Sequence, residues 1–358
     1  MASNPNDKSI QKCVDVYEAE IKMAKKSNNL VLIDADSMIY IVGSELENLQ
    51  LEPLGIMKLD EFIGDILITT GSKEYIGFVA GKGRNFRKDV AITKEYKGNR
   101  AIEKPDWFNF WQPILIERMV SHWGFQECDN IEADDACAIA RTKYDGQYNK
   151  ITIASPDKDL FQIADTWFYD YTKWTTVFCD ATVALHKLCG QLITGDSTDN
   201  IPGCFGAGKG AADKIVEEIA KAGLSYDAAI QRVKDYYIDW HTVVLKSKAA
   251  KKQEKEFLDA YKVTHDISRL TAAIKSTALK DFVVDTSGIM SKVDALTLFI
   301  EQYKLVKLID TEEEAAKHGF ITREPIVDTA IDWDSIEIFH EEIETMVEED
   351  SFDFEDEL

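Results

Sequence analysis

Three short apolar runs, rich in β-branched residues, each stop at a polar turn, with helical stretches between them. Leu30-Val31-Leu32-Ile33 runs into Asp34-Ala35-Asp36, Tyr75 to Val79 into Ala80-Gly81-Lys82-Gly83, and Ile151-Thr152-Ile153-Ala154 into Ser155-Pro156-Asp157-Lys158-Asp159. Strands that are apolar throughout, rather than alternating, are buried on both faces, and helices between them make their sheet mainly parallel. The predicted class is therefore α/β: a mainly parallel central sheet flanked by helices. In such sheets ligands bind beyond the carboxyl ends of the strands, where the acids of the first and third runs stand. Helices are predicted over Pro105–Trp123, Ala133–Tyr144 and Val183–Thr194.

After about residue 190 the pattern becomes all-helical. Gly203–Gly210 leads into a helix over Ala211–Ala222, a Lys-rich helix is expected around Val243–Val263, and Val293–Leu308 closes the fold. Beyond Asp310 apolar periodicity fades into acid. The predicted division is an N-terminal extension (1–29), an α/β domain (30–186), a helical domain (187–310) and an acidic, largely disordered tail (311–358).

The chain carries 41 Lys+Arg against 64 Asp+Glu, a net charge of −23, which argues against a protein that coats duplex by neutralising phosphates. The acid is uneven, however. Residues 324–358 hold 15 acids and no Lys or Arg, so residues 1–323 carry only −8 of the −23. Residues 1–29 offer no apolar run fit for a signal peptide, and nothing approaches the roughly 20 apolar residues of a membrane span. The expectation is a cytoplasmic protein without a membrane partner. Six cysteines (Cys13, Cys128, Cys137, Cys179, Cys189, Cys204) form no C-x-x-C pair and are expected as reduced, mostly buried thiols.

In so acidic a chain one close carboxylate pair means little; Asp34-x-Asp36 alone fits a solvated strand end or a helix cap. The other clusters change this reading. Glu132, Asp134 and Asp135 open a predicted helix, with Glu132 and Asp135 on one face; Asp157 and Asp159 follow a strand; Asp196 and Asp199 are spaced by three. Four converging clusters would repel one another by several kcal/mol unless cations lay between them. Oxygen donors suit Mg²⁺ or Mn²⁺, and two such ions about 4 Å apart stabilise both attacking and leaving oxygens of a phosphodiester displacement.

Between Lys82 and Lys104 lie eight bases (Lys82, Arg84, Arg87, Lys88, Lys94, Lys97, Arg100, Lys104) against three acids. This surplus follows a strand end and so faces the predicted metal site, as a polyanionic substrate requires. Trp107, Phe108, Phe110 and Trp111 come next, either to stack on unpaired bases or as an amphipathic core helix. In Ile201-Pro202-Gly203-Cys204-Phe205-Gly206-Ala207-Gly208-Lys209-Gly210, glycines before a helix let backbone N–H groups approach a phosphate.

Together these segments resemble the 5′-nuclease superfamily, which comprises flap endonucleases, the 5′→3′ exonuclease domain of bacterial DNA polymerases, and phage 5′→3′ exonucleases and ribonucleases H. The matching signatures are Leu32-Ile33-Asp34, Tyr96-Lys97-Gly98-Asn99-Arg100, Glu132-Ala133-Asp134-Asp135, Ser155-Pro156-Asp157-Lys158-Asp159 and Gly195-Asp196-Ser197-Thr198-Asp199-Asn200-Ile201-Pro202-Gly203, in the family's order, with the phage branch most similar.

The resemblance implies a PIN-like core in which Asp34, Glu132, Asp134, Asp135, Asp157, Asp159, Asp196 and Asp199 hold two divalent ions. It further implies that Lys97 and Arg100 contact the scissile phosphate and that Tyr96 stacks near the terminal nucleotide. An arch would span about 84–125, with Lys82, Arg84 and Arg87 on DNA. Gly203, Gly206, Gly208, Lys209 and Gly210 would form a helix-turn-helix-like grip on duplex with a bound K⁺. Three departures stand out. Ala80-Gly81 replaces an acid usual after the second strand, leaving one ligand missing or Asp36 in its place. Tyr40 and Ile41 occupy a stretch where an arginine is common. In the glycine turn, the usual apolar residue between glycines is Ala207, and Lys209 comes one position earlier than the common lysine.

The expected function is a metal-dependent 5′→3′ exonuclease with flap endonuclease activity. Its partner would be DNA with a 5′ end, flap or nick, or an RNA–DNA hybrid, during replication or recombination, in a host cytoplasm if phage-encoded. Competing readings are a 5′-end-binding protein that has lost its chemistry, a ribonuclease H-type primer-removal enzyme, and a haloacid-dehalogenase-type phosphatase with Asp34 as covalent nucleophile. The last explains neither Tyr96–Arg100 nor the glycine turn. For the acidic, Phe-bearing tail the readings are a solvated tail, a basic protein partner, or competition with DNA for the cleft.

Overall fold

Leu30 to Ile33, each 0 % exposed, make the interior of strand β1 (Asn29–Asp34) at the centre of the sheet. In this computed structural model, residues 28–83, 85–100, 103–204, 207–244, 282–284, 290–292, 295–329 and 331 are described. On one side β1 pairs in parallel with β2 (Glu74–Ala80), and β2 with β3 (Gln126–Cys128). On the other side it pairs in parallel with β4 (Lys150–Ala154), and β4 with β5 (Thr166–Asp170); β6 (Thr175–Cys179) closes that side antiparallel to β5. The order β3-β2-β1-β4-β5-β6 reverses direction at β1. Such a reversal opens a crevice beyond the strand ends, and Asp34 is the last residue of β1.

Helices cover the sheet as expected. Between β1 and β2 run α1 (Asp36–Glu45) and α2 (Glu52–Thr70). A short α3 (Arg87–Val90) and α4 (Asp106–Ser121) follow β2. Phe108 and Trp111 of α4 are 4 % and 0 % exposed, and Gly55 exists to admit Trp111, since a Cβ there would lie 2.2 Å from its ring. The core-helix reading therefore holds for these two aromatics, and this part of the predicted arch packs on α1 and α2. In α5 (Ala133–Lys143) the small side chains Ala136, Cys137, Ala138 and Ala140 are fully buried with Leu30, Leu32, Ile76 and Phe78.

Beyond β6 come α6 (Ala181–Thr194), α7 (Lys209–Ala222), α8 (Tyr226–Val244) and α9 (Ala295–Val306). They enclose a second apolar cluster that includes Leu192, Ile215, Val233, Tyr237 and Leu298. The boundary expected at 186/187 falls inside α6, whose Ala184 joins the sheet cluster and whose Leu188 joins the helical one. Both clusters lie within a single compact unit, Lys26–Asp328.

Three features depart from expectation. The β5–β6 hairpin and β3 were not predicted: β6 is exposed at four of its five positions, and β3 has three residues, so neither carries a long apolar run. The region after 190 is not all-helical, because β7 (Phe282–Val284) and β8 (Met290–Lys292) form an antiparallel pair. The expected tail also begins as ordered structure. A helix α10 (Glu312–Lys317), N-capped by Thr311, leads to Phe320, which is 4 % exposed beside Phe78. Gln126 clamps the chain beyond it, donating to Ile321 O at 2.8 Å and accepting from Arg323 N at 3.0 Å. Strand β9 (Ile326–Val327) then pairs antiparallel with β2. A few well-placed apolar residues suffice here despite the surrounding acid. The Lys-rich segment beyond Val244, residues 1–27 and residues 332–358 lie outside the described residues. Cys128, Cys137, Cys179, Cys189 and Cys204 are buried and free. Among the described residues no helix is long and apolar enough to cross a membrane.

Candidate active site

The carboxyl end of β1 delivers Asp34, which is 5 % exposed. Its Oδ2 accepts from Ser155 Oγ at 2.9 Å and its Oδ1 from Asp36 N at 3.2 Å, while Tyr171 OH donates to its backbone carbonyl at 2.9 Å. Burial, then the charges of Asp36 and Asp157, push the Asp34 carboxyl up to about 7. Asp36 opens α1 and accepts the N–H of Ala80 at 2.7 Å, so its carboxylate stands at the end of β2 where the sequence has no acid. Burial also raises the Asp36 and Asp134 carboxyls, against the pull of nearby cations.

A second set of acids lies across the crevice. Asp157 follows β4, with its N–H on Ser155 Oγ at 3.0 Å and its Oδ1 accepting Asp159 N at 2.8 Å. Asp159 is held by Gln191 Nε2 at 2.9 Å and Lys187 Nζ at 3.2 Å. Asp196 and Asp199 sit on the turn after α6, closed by the Asp196–Ile201 bridge, and Asp196 is pushed up by burial and by Asp159. Asp157 feels the charges of Asp199 and Asp196 within this set, and its own charge on Asp34 links the two sets.

The basic turn faces both. Lys97 adopts φ +58, in the left-handed region that side chains other than glycine seldom occupy. Three bonds lock this turn to the acid turn: Lys97 N to Asp199 O at 2.8 Å, Asn99 Nδ2 to Ser197 O at 2.6 Å and Asn200 Nδ2 to Glu95 O at 2.8 Å. Lys97 Nζ consequently pairs with Glu132 and lies 3.5 Å from Asp199 Oδ2, and Arg100 Nη2 lies 2.5 Å from Asp199 Oδ1. Burial opposes the charge on Lys97, but Glu132 and Asp199 outweigh it and hold the ammonium above its usual range. Despite its own burial, Glu132 is drawn down to about 2 by Arg87 and Lys97.

Four expected roles change on this geometry. Tyr96 is 3 % exposed, with its phenol 2.6 Å from Glu132 Oε2 and 2.8 Å from Asp199 Oδ2. It braces two acids and presents no free face for stacking on a nucleotide. Arg87 is not on a DNA-facing surface: it is 1 % exposed, and its guanidinium grips Asp135, Leu305 O and Lys307 O. Asp135 comes within 4.8 Å of Glu132 and Asp134 as a metal ligand would. Its two oxygens, however, already accept from Arg87 Nη1 (2.6 Å) and Nη2 (2.8 Å), Glu132 N (3.1 Å) and Ile309 N (2.9 Å), which fills a carboxylate's acceptor sites. The N–H of Gly203 is given to Gln302 Oε1 at 2.9 Å and is not free for a phosphate.

Lys82, Gly208, Lys209 and Gly210 are exposed, the last three at the N-terminus of α7, as a backbone grip requires. Arg84 and Gly206 lie outside the described residues. Sequence reading missed Ser155, Lys187, Gln191, Glu301 and Gln302 as supports, because a polar residue on an otherwise apolar element signals nothing until its partner is known.

Residues 29–186, which carry strands β1–β6 and the first three acid clusters, match the family described as 5′-3′ exonuclease, N-terminal resolvase-like domain. A 5′-3′ exonuclease of Mycoplasmopsis pulmonis is 26 % identical over 239 residues, 60 % of this chain and 78 % of that protein. A DNA polymerase I of Rhizobium leguminosarum is 29 % identical over 143 residues, 38 % of this chain; the chain spans only 14 % of the polymerase's length. The structure of T5 5′-exonuclease with bound divalent metal ions (zinc) shares the fold, with a TM-score of 0.52 at 16 % identity over 81 % of this chain and 96 % of that one. On its sheet, its signatures and these relatives, residues 29–186 of the chain form a domain of the 5′-3′ exonuclease family.

Proposed function

We propose that this protein is a divalent-metal-dependent 5′→3′ exonuclease that also cleaves flaps. It would hydrolyse phosphodiesters near the 5′ end of DNA, or of an RNA primer in a hybrid, during replication or recombination. The observation that carries this reading is the facing of Lys97 and Arg100 onto Glu132 and Asp199 at the strand-order reversal.

The donor set fits hard cations. The donors are carboxylate oxygens, and the buried ones are pushed toward the neutral form, a strain that a divalent ion would relieve. Asp34, Asp36, Glu132 and Asp134 would hold one Mg²⁺ or Mn²⁺, and Asp157, Asp159, Asp196 and Asp199 a second; the reading adds a K⁺ at the glycine turn. Such ions supply Lewis acidity for water activation and for the charge on the scissile phosphate. The chain's own part is positioning. Lys97 and Arg100 would turn their charge to the transferring phosphoryl group, and Tyr96 would keep Glu132 and Asp199 aligned. Lys82 and the α7 N-terminus take backbone phosphates further along the duplex.

Binding without cleavage is the second reading, favoured by Ala80-Gly81 at the end of β2. The Asp36 carboxylate at Ala80 N supplies the missing charge and supports the active reading. Gel mapping of products from 5′-labelled flap, nicked and RNA–DNA hybrid substrates with Mg²⁺ or Mn²⁺ decides between them. Cleavage lost in Asp157→Ala is expected; junction binding with no turnover at any metal level would establish the second reading.

A further inference from the structure

Two neighbouring side chains on α9, about a hundred residues beyond the last acid, hold the bases of both turns that form the site. Glu301 is 2 % exposed and Gln302 0 %. Glu301 Oε1 accepts from Ile92 N (2.6 Å), Thr93 N (2.7 Å) and Thr93 Oγ1 (3.0 Å), where the chain enters the turn that delivers Tyr96, Lys97 and Arg100. Gln302 Oε1 accepts from Gly203 N at 2.9 Å. Gly203 has φ +67 and is packed backbone to backbone on Gly195, the residue before Asp196: a Cβ on Gly203 would lie 2.3 Å from Gly195 N. Successive helical residues point about 100° apart, so one helix can serve both turns.

The same helix holds the basic segment at a second point. Arg87 Nε donates to Leu305 O at 3.0 Å, and Arg87 Nη2 to Lys307 O at 3.3 Å. The segment is therefore fixed at Arg87 and again at Ile92–Thr93 before it reaches Lys97, whose strained φ needs such support. Hydrogen bonds from N–H groups to a carboxylate are about twice as strong as neutral ones, and here three donors converge on one oxygen.

We propose that Glu301 is a positioning residue for cleavage, setting the 92–100 turn so that Lys97 meets Glu132 and Asp199, while Gln302 seats the acid turn. The inference rests on the nuclease reading. Its test is single-turnover cleavage of a 5′-labelled flap with Mg²⁺ by the full chain and by Glu301→Ala, Glu301→Gln, Lys97→Ala and the Lys97→Ala/Glu301→Ala double variant. Glu301→Ala should slow cleavage ~10–100-fold with flap affinity nearly unchanged, since a small misplacement of a catalytic group costs that much. Glu301→Gln, which keeps an acceptor oxygen, should recover most of the rate, and Glu301→Ala should add little once Lys97 is gone. Independent, multiplicative losses in the double variant, or no recovery with Gln, would overturn the proposal.

Hydrogen exchange needs no turnover and serves as a second arm. Glu301→Leu should speed exchange of the 92–100 amides selectively, and Gln302→Leu those around 195–203. Uniform speeding across both turns would mean general destabilisation and would also overturn it. An unaltered protein that cleaves nothing would sink the nuclease reading instead, and exchange would still decide whether Glu301 holds the turn.

Discussion

The guanidinium of Arg87 and the carboxylate of Asp135 form a two-pronged buried ion pair, with Nη1 2.6 Å from Oδ2 and Nη2 2.8 Å from Oδ1. Neither side chain is more than 2 % exposed. The pair joins the start of the basic segment to the first turn of α5, and Ile309 N adds a fourth donor to the same carboxylate at 2.9 Å. Removing one partner strands a buried charge, so Arg87→Ala should destabilise the fold by about 3–5 kcal/mol in urea titration. Arg87→Lys should also lose stability, because an ammonium cannot satisfy two parallel bonds. An unchanged unfolding midpoint together with weakened DNA binding would instead make Arg87 a surface contact.

Lys97 stands in the opposite situation. It is partly exposed, and the carboxylates that hold it are the ones expected to take cations. Lys97→Ala should therefore lower kcat about 100-fold or more, as loss of one preorganised charge-stabilising group does elsewhere, with little change in Tm or flap affinity. A loss confined to KM would show that Lys97 only binds.

The sheet was legible because β1, β2 and β4 are apolar without interruption, which only a strand covered on both faces tolerates. The acids were legible because their spacing recurs in clusters. What was not legible is which polar residue meets which. Arg87 and Lys97 look alike in a run of bases, yet one is sealed against Asp135 and the other faces the crevice, and only the position of α9 separates them. Tyr96 was misplaced for the same reason: its burial depends on Leu188, Leu192 and other residues far along the chain. The segment after Asp310 was read as tail because acid outnumbers its few apolar anchors, Ala315, Phe320 and Ile326.

That segment gives a clean prediction. A chain ending after Thr329 should melt close to the full-length protein. One ending at Asp310 loses buried Phe320 and Ala315, the Gln126 clamp and the β9 ladder, and should be less stable by at least about 3 kcal/mol. Equal melting of the two truncations would return residues 311–328 to the tail.

The acid cluster should also make stability depend on pH and metal in opposite ways on two sides of an optimum. The folded Asp34 carboxyl is raised to about 7 from an ordinary value near 4, so the folded state keeps a proton that the unfolded chain gives up. Its contribution is full below about pH 4 and is lost as pH rises toward 7. Glu132 is lowered to about 2, so its contribution is present above about pH 4.5 and lost as pH falls. Metal-free protein should therefore show its highest Tm near pH 4, with a decline toward pH 8 that Asp34→Asn flattens. Adding Mn²⁺ or Mg²⁺ stabilises whichever state binds it, and binding needs ionised carboxylates, so the rise in Tm should be larger at pH 8 than at pH 5. Removing the ion with EDTA should restore the decline. A metal-induced shift equal at the two pH values would show that the ion does not bind through these buried carboxylates.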